Sequence, residues 1–94
     1  MTLEEMFAAC DDDYLDFDKW EGAPSKRADL AAFILLDKLQ PGGGDIISAS
    51  EHDEFFLSID CEELAKVITR DDVLNLTRCG VRYSGEYDSL CMFA

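Results

Sequence analysis

Six carboxylates fall within eleven residues, at Asp11, Asp12, Asp13, Asp16, Asp18 and Glu21, and three aromatic rings, Tyr14, Phe17 and Trp20, are interleaved with them. A run of this kind can do two sorts of chemistry. Its oxygens can hold a divalent cation, or they can receive the Lys and Arg side chains of a partner. The cation reading fails on spacing. A calcium loop of the EF-hand type needs oxygen ligands at its first, third and fifth positions, glycine at the sixth and glutamate at the twelfth. Counting from Asp11 puts Leu15, Asp16 and Gly22 at the last three of these. No metal and no cofactor are therefore expected. Six like charges so close together repel one another, and helix capping gives no reason for them. Acids set among aromatic rings attract a basic surface over a distance and hold it by apolar anchors. The candidate partner-binding residues are thus Asp11, Asp12, Asp13, Tyr14, Asp16, Phe17, Asp18, Trp20 and Glu21.

Other reactive residues lack the company that catalysis needs. His52, the single histidine, lies among Glu51, Asp53 and Glu54. It is expected to be exposed at a hairpin tip, without the second and third partners of a metal or catalytic site. Cys10, Cys61, Cys79 and Cys91 show no Cys-x-x-Cys spacing, and each sits in an apolar pattern, as a buried structural thiol does. Gly42, Gly43 and Gly44 follow a helical pattern and precede a strand-like one. That is the reverse of the strand-to-helix order that cradles phosphate, so a flexible turn is expected. No catalytic constellation emerges, and the chain is expected not to be an enzyme.

Across all 94 residues, 21 Asp and Glu face 8 Lys and Arg, for a formal net charge of −13. So acidic a chain is a poor ligand for nucleic acid or an anionic membrane, since both attractions depend on Lys and Arg. With 48% hydrophobic residues it is also not a disordered acidic tail. The length implies one domain over residues 1–94. The charge is uneven. Residues 25–44 carry three bases and two acids, whereas residues 1–24 carry eight acids and one base. The first thirteen residues hold no basic stretch followed by an apolar run, so a cytoplasmic protein is expected.

Several elements must position these groups. Thr2 with Glu5 forms a capping-box signature for a first helix bearing Leu3, Met6, Phe7, Cys10 and Tyr14. Residues 15–20 alternate apolar and charged side chains, predicting an extended segment. Ser25 is the expected N-cap of a second helix, 26–39, apolar around most of its girth and therefore placed mid-core or in an oligomer interface. Strands are expected at 45–49 and 54–59, with Phe55, Leu57 and Ile59 on one face. Asp60 should cap a short helix with Leu64, Val67 and Ile68 inward, and Thr69 with Asp72 a further one that Gly80 ends. Val81 to Tyr83, a turn about residues 84–86 and a strand 88–93 complete the chain. The order ααββααββ implies an α+β fold: a four-stranded antiparallel sheet of two hairpins, packed by three to four helices.

These features support two expectations. One is a non-enzymatic domain that presents clustered carboxylates to a basic protein surface, in the limit mimicking nucleic-acid phosphates and inhibiting a DNA- or RNA-binding protein. In size and charge the chain resembles small phage-encoded inhibitors of host defence, a resemblance of composition, which implies the same kind of partner. The alternative is a small structural or assembly protein that forms a homodimer, or docks on a larger complex, through helix 26–39 and the C-terminal strand.

Overall fold

The computed structural model describes residues 2–42, 44–51 and 53–93; the expectation for His52 lies outside them. Helix α1 (Leu3–Ala9) starts at a capping box in which the Glu5 amide donates to Thr2 Oγ1 at 3.2 Å and the Thr2 amide to Glu5 Oε1 at 3.0 Å. These bonds satisfy two of the amides that every helix start leaves open. Helix α2 (Ala28–Leu39) stops at Gln40, just before Pro41, which has no amide to donate. Strands β1 (Ile47–Glu51) and β2 (Glu54–Leu57) form the first hairpin. Helix α3 (Cys61–Val67) has Asp60 as N-cap, its carboxylate accepting from the Glu62 and Glu63 amides. Helix α4 (Arg70–Arg78) begins at a second capping box, Thr69 with Asp72. Strands β3 (Arg82–Ser84) and β4 (Ser89–Phe93) form the last hairpin.

The fold is α+β. The sheet order is β1-β2-β4-β3, antiparallel throughout, so the two hairpins join through β2 and β4, with Phe56 opposite Cys91. Phe55, Leu57, Leu90 and Met92 carry the helix-facing side of the sheet into one apolar cluster with Ala32, Leu36, Leu64, Val73 and Leu76. Gln40 adds a polar clasp between two helix ends, donating to the Asp60 carbonyl at 3.0 Å and accepting from its amide at 2.9 Å. On the other side of the sheet the Tyr87 ring stands edge-on to Phe56 at 5.1 Å. The Arg82 guanidinium sits 4.3 Å over Phe93 and bonds Glu54. These side chains cover Cys91, which has no exposure, while Tyr87 and Phe93 themselves stay 61% and 57% exposed.

Five expectations need correction. Residues 15–20 are not extended: Asp11–Asp13 and Phe17–Lys19 are single 3-10 turns, linked through Leu15 at φ 67°. An alternating pattern becomes a strand only beside another strand, and here the chain lies on α4, where the Leu15 amide donates to the Thr77 carbonyl at 3.1 Å. Ser25 does not cap α2; the N-cap is Arg27, and Ser25 Oγ accepts from its amide at 3.1 Å. That local bond uses the hydroxyl before the helix can. Nor is α2 buried all round. Ala31, Ala32 and Leu36 have no exposure, but Leu30 and Ile34 are 45% and 40% exposed, because only one side of the helix meets the core. Val67 is 54% exposed. At 100° per residue, Cys61, Leu64 and Ile68 share a stripe that leaves Val67 well to one side. Finally, the strands are shorter or shifted: β1 lies two residues later than expected, with a register shift between Ile47 and Ala49, β2 ends at Leu57, and the last turn is 85–88.

All four cysteines are free and buried. Burial pushes the Cys79 thiol up to about 12 and the Cys91 thiol up to about 11, so both are protonated and inert at neutral pH. No helix among the described residues is long and apolar enough to cross a membrane.

Candidate functional site

The acidic segment is a folded strap on α4, not a free loop. Asp11, Asp12, Asp18 and Glu21 are exposed, while Asp13, Tyr14, Asp16, Phe17 and Trp20 are half-buried. Phe17 and Trp20 meet edge-to-face at 6.2 Å and pack on the core, so these two rings anchor the strap to its own protein. Lys19 lies 3.1 Å from Asp16 and 3.6 Å from Asp13. The hydrogen bond from Lys19 to Asp16, then the charges of Asp16 and Asp13, raise the lysine pKa. Two of the six carboxylates thus have a cation, and Asp11, Asp12, Asp18 and Glu21 have no ion pair among the described residues.

The strap divides between two places. Glu21 and Trp20 border a hollow with Asp71, Lys19 and Arg78, a mixed-charge surface. Asp11 and Tyr14 belong elsewhere: with Glu4, Phe7, Val81 and Tyr83 they line a cavity of about 300 Å³ beside α1. A second cavity, of about 440 Å³, adjoins it by sharing Glu4 and Tyr83, and adds Glu62 and Asp88. The packing of α1 against both α3 and β3 creates this groove. Along it lie four exposed carboxylates: Glu4 and Asp11 with Tyr14 and Tyr83 on the first hollow, and Glu4, Glu62 and Asp88 with Tyr83 on the second. Arg82 also lines the first cavity, but its guanidinium is bonded to Glu54.

Of the residues expected from sequence, the structure brings only Asp11 and Tyr14 to this groove. Glu4, Tyr83 and Asp88 escaped sequence reasoning because no local pattern marks them. Glu62 lies in the first turn of α3, where its amide bonds the Asp60 cap at 3.1 Å. Its side chain is nonetheless on the groove.

Chemically, the groove is an acceptor. Carboxylates form strong, charge-assisted bonds to guanidinium or ammonium, and a tyrosine face attracts the same cations. Cys61 borders the second cavity, yet burial raises its pKa and its thiol donates weakly to the Asp88 carbonyl at 3.6 Å, so it offers no thiolate nucleophile. Among the described residues, no group of three or more His, Cys, Asp or Glu side chains is arranged to hold a metal ion.

Tyr83 ties the two cavities together. Its hydroxyl donates to Asp88 Oδ1 at 2.6 Å, which pushes the phenol up to about 12 from its ordinary 10. A raised folded-state pKa means that the bond stabilises the fold fully below the unfolded value and loses this effect as pH climbs through the folded one. Ultraviolet titration of the native protein is therefore expected to show one of three tyrosines ionising near pH 12. Asp88→Ala should return it toward ordinary values; a wild type in which no tyrosine is shifted upward would contradict the bond.

Comparison with protein-family models, with curated proteins and with solved structures finds no match for this chain.

Proposed function

We propose that the protein is a non-enzymatic interaction domain whose α1 groove receives Lys and Arg side chains of a basic protein partner. The observation that carries this reading is that Glu4, Asp11, Glu62 and Asp88, from separate elements, line two adjoining hollows that share Glu4 and the Tyr83 ring. Carboxylates scattered for solubility alone have no reason to share such a groove with Tyr14 and Tyr83. The remaining acids, Asp12 and Asp18 included, which have no ion pair among the described residues, add a long-range field that steers a basic surface toward it. In the limit the domain takes the place of nucleic-acid phosphates on a DNA- or RNA-binding protein, and so blocks it. Four free thiols suit a reducing, cytoplasmic setting.

The test is calorimetric titration with an arginine-rich peptide of roughly a dozen residues, an affinity expected to fall about tenfold or more between low and high salt as the charges are screened. The variant Glu4→Gln, Asp11→Asn, Glu62→Gln, Asp88→Asn should lose the peptide at low salt. A control of equal charge, Asp12→Asn, Asp18→Asn, Asp45→Asn, Glu86→Gln, should keep most of the affinity. Equal losses in both variants would sink the groove as a site and leave only net charge.

A further inference from the structure

The least acidic part of the molecule also leaves apolar side chains uncovered, as Leu15, Val67, Tyr87 and Phe93 are elsewhere, but here they fall in a row on one helix. On α2, Leu30 and Ile34 lie one turn apart at 45% and 40% exposure. Arg27 and Asp37 bracket them, both exposed and neither in an ion pair among the described residues. At 100° per residue the four side chains fall within about 80° of arc, so they form one stripe down the outer side of the helix. The apolar surface continues sideways, since Phe33 shares an open hollow of about 460 Å³ with Ile46 and Ile47, the last 43% exposed.

The order of residues along this stripe is self-complementary. In an antiparallel pair of α2 helices with the two-fold axis at residue 32, Leu30 of each copy meets Ile34 of the other. Arg27 of each copy then meets Asp37 of the other. An isologous contact requires this reciprocity, and a charge pattern that reads basic, apolar, apolar, acidic supplies it. A heterologous partner would have no need of the symmetry. Two copies of net charge −13 repel elsewhere on their surfaces, while residues 25–44 carry three bases against two acids. We propose that the protein forms a two-fold homodimer through the α2 stripe Arg27-Leu30-Ile34-Asp37, leaving the α1 groove of each copy to its partner.

Sedimentation equilibrium tests this, at about 0.3 M salt, where screening confines charge repulsion to roughly 6 Å. The full chain should show a monomer–dimer equilibrium at micromolar concentration. Ile34→Asp should weaken it by at least about tenfold, because an unpaired carboxylate would be buried twice in the dimer. Arg27→Asp alone and Asp37→Arg alone should each weaken dimerisation by roughly tenfold, since each change acts twice across the two-fold. The double variant Arg27→Asp, Asp37→Arg should return to within a few-fold of the wild type. All these positions are exposed, so circular dichroism should be unchanged. A wild type that is monomeric throughout overturns the dimer and gives the stripe to another occupant. A double variant as weak as the single ones overturns the antiparallel register. The groove variant above should dimerise normally, so failure of either proposal is recognisable by itself.

Discussion

Leu76→Ala is expected to destabilise the protein by about 3 kcal/mol, within the range of roughly 2–5 kcal/mol seen when a fully buried leucine is truncated. Leu76 has no exposure. It lies on α4, the helix against which α1, α2 and both 3-10 turns pack. A cavity there is bordered by several rigid elements, and none can close it without giving up contacts of its own. A domain of this length has a total stability on the order of 5–14 kcal/mol, so the loss is a large fraction of the whole. Urea unfolding followed by circular dichroism should show a lower midpoint with little change in slope. Val67→Ala, at a side chain that is 54% exposed and outside both the groove and the α2 stripe, serves as the comparison and should cost less than about 1 kcal/mol. Equal effects at the two positions would mean that α4 is not the centre of the core.

The second large effect is at Gly80. This residue has φ 93°, and it follows α4 in a Schellman arrangement, with the Gly80 amide donating to the Thr77 carbonyl at 3.0 Å and the Val81 amide to that of Leu76 at 3.0 Å. A Cβ added there would meet Leu15 Cδ2 at 2.9 Å. Leu15 is 63% exposed, so its side chain can swing away, and the steric contact is the smaller part of the cost. The backbone is the larger part. Gly80→Ala should cost about 1–2 kcal/mol, the ordinary penalty for a left-handed L-residue. Gly80→Val should cost about 3 kcal/mol, because branching at Cβ adds strain. Gly80→Asn should be milder than alanine, since asparagine tolerates positive φ. Chemical unfolding of the three variants checks the order; alanine and valine variants as stable as the wild type would show that the turn can re-form with negative φ.

What was legible in the sequence was chemistry confined to a few neighbouring residues. Thr2 with Glu5, Asp60 before Glu62 and Glu63, and Thr69 with Asp72 each name a helix start by groups three positions apart or fewer, and each start is where those groups put it. The hairpins and the order ααββααββ followed from periodicity. The strap was misread because extended and 3-10 conformations both suit an alternating aromatic and acidic run. Its neighbour decides, and that neighbour is the distant Thr77 carbonyl. Ser25 misled for a similar reason, since it could bond the Arg27 amide before any helix began. Half of the candidate groove was invisible in principle. Tyr83 and Asp88 stand near the other end of the chain from Glu4, and only the docking of α1 on β3 makes them neighbours.

The sheet order has a kinetic meaning. Each hairpin closes over a short turn, so its strands can meet while the rest of the chain is still loose. The seam between β2 and β4 is different, because pairing Phe56 with Cys91 encloses α3, α4 and β3 in a single loop. Long closures surrender chain entropy before they return any contact energy, and they set the pace of folding. The two capped helices inside the loop shorten it as they form, bringing the hairpins within reach of one another. Removing the caps at Thr69 and Asp60, which look like minor surface residues, is therefore expected to slow the step where the two halves of the sheet become one.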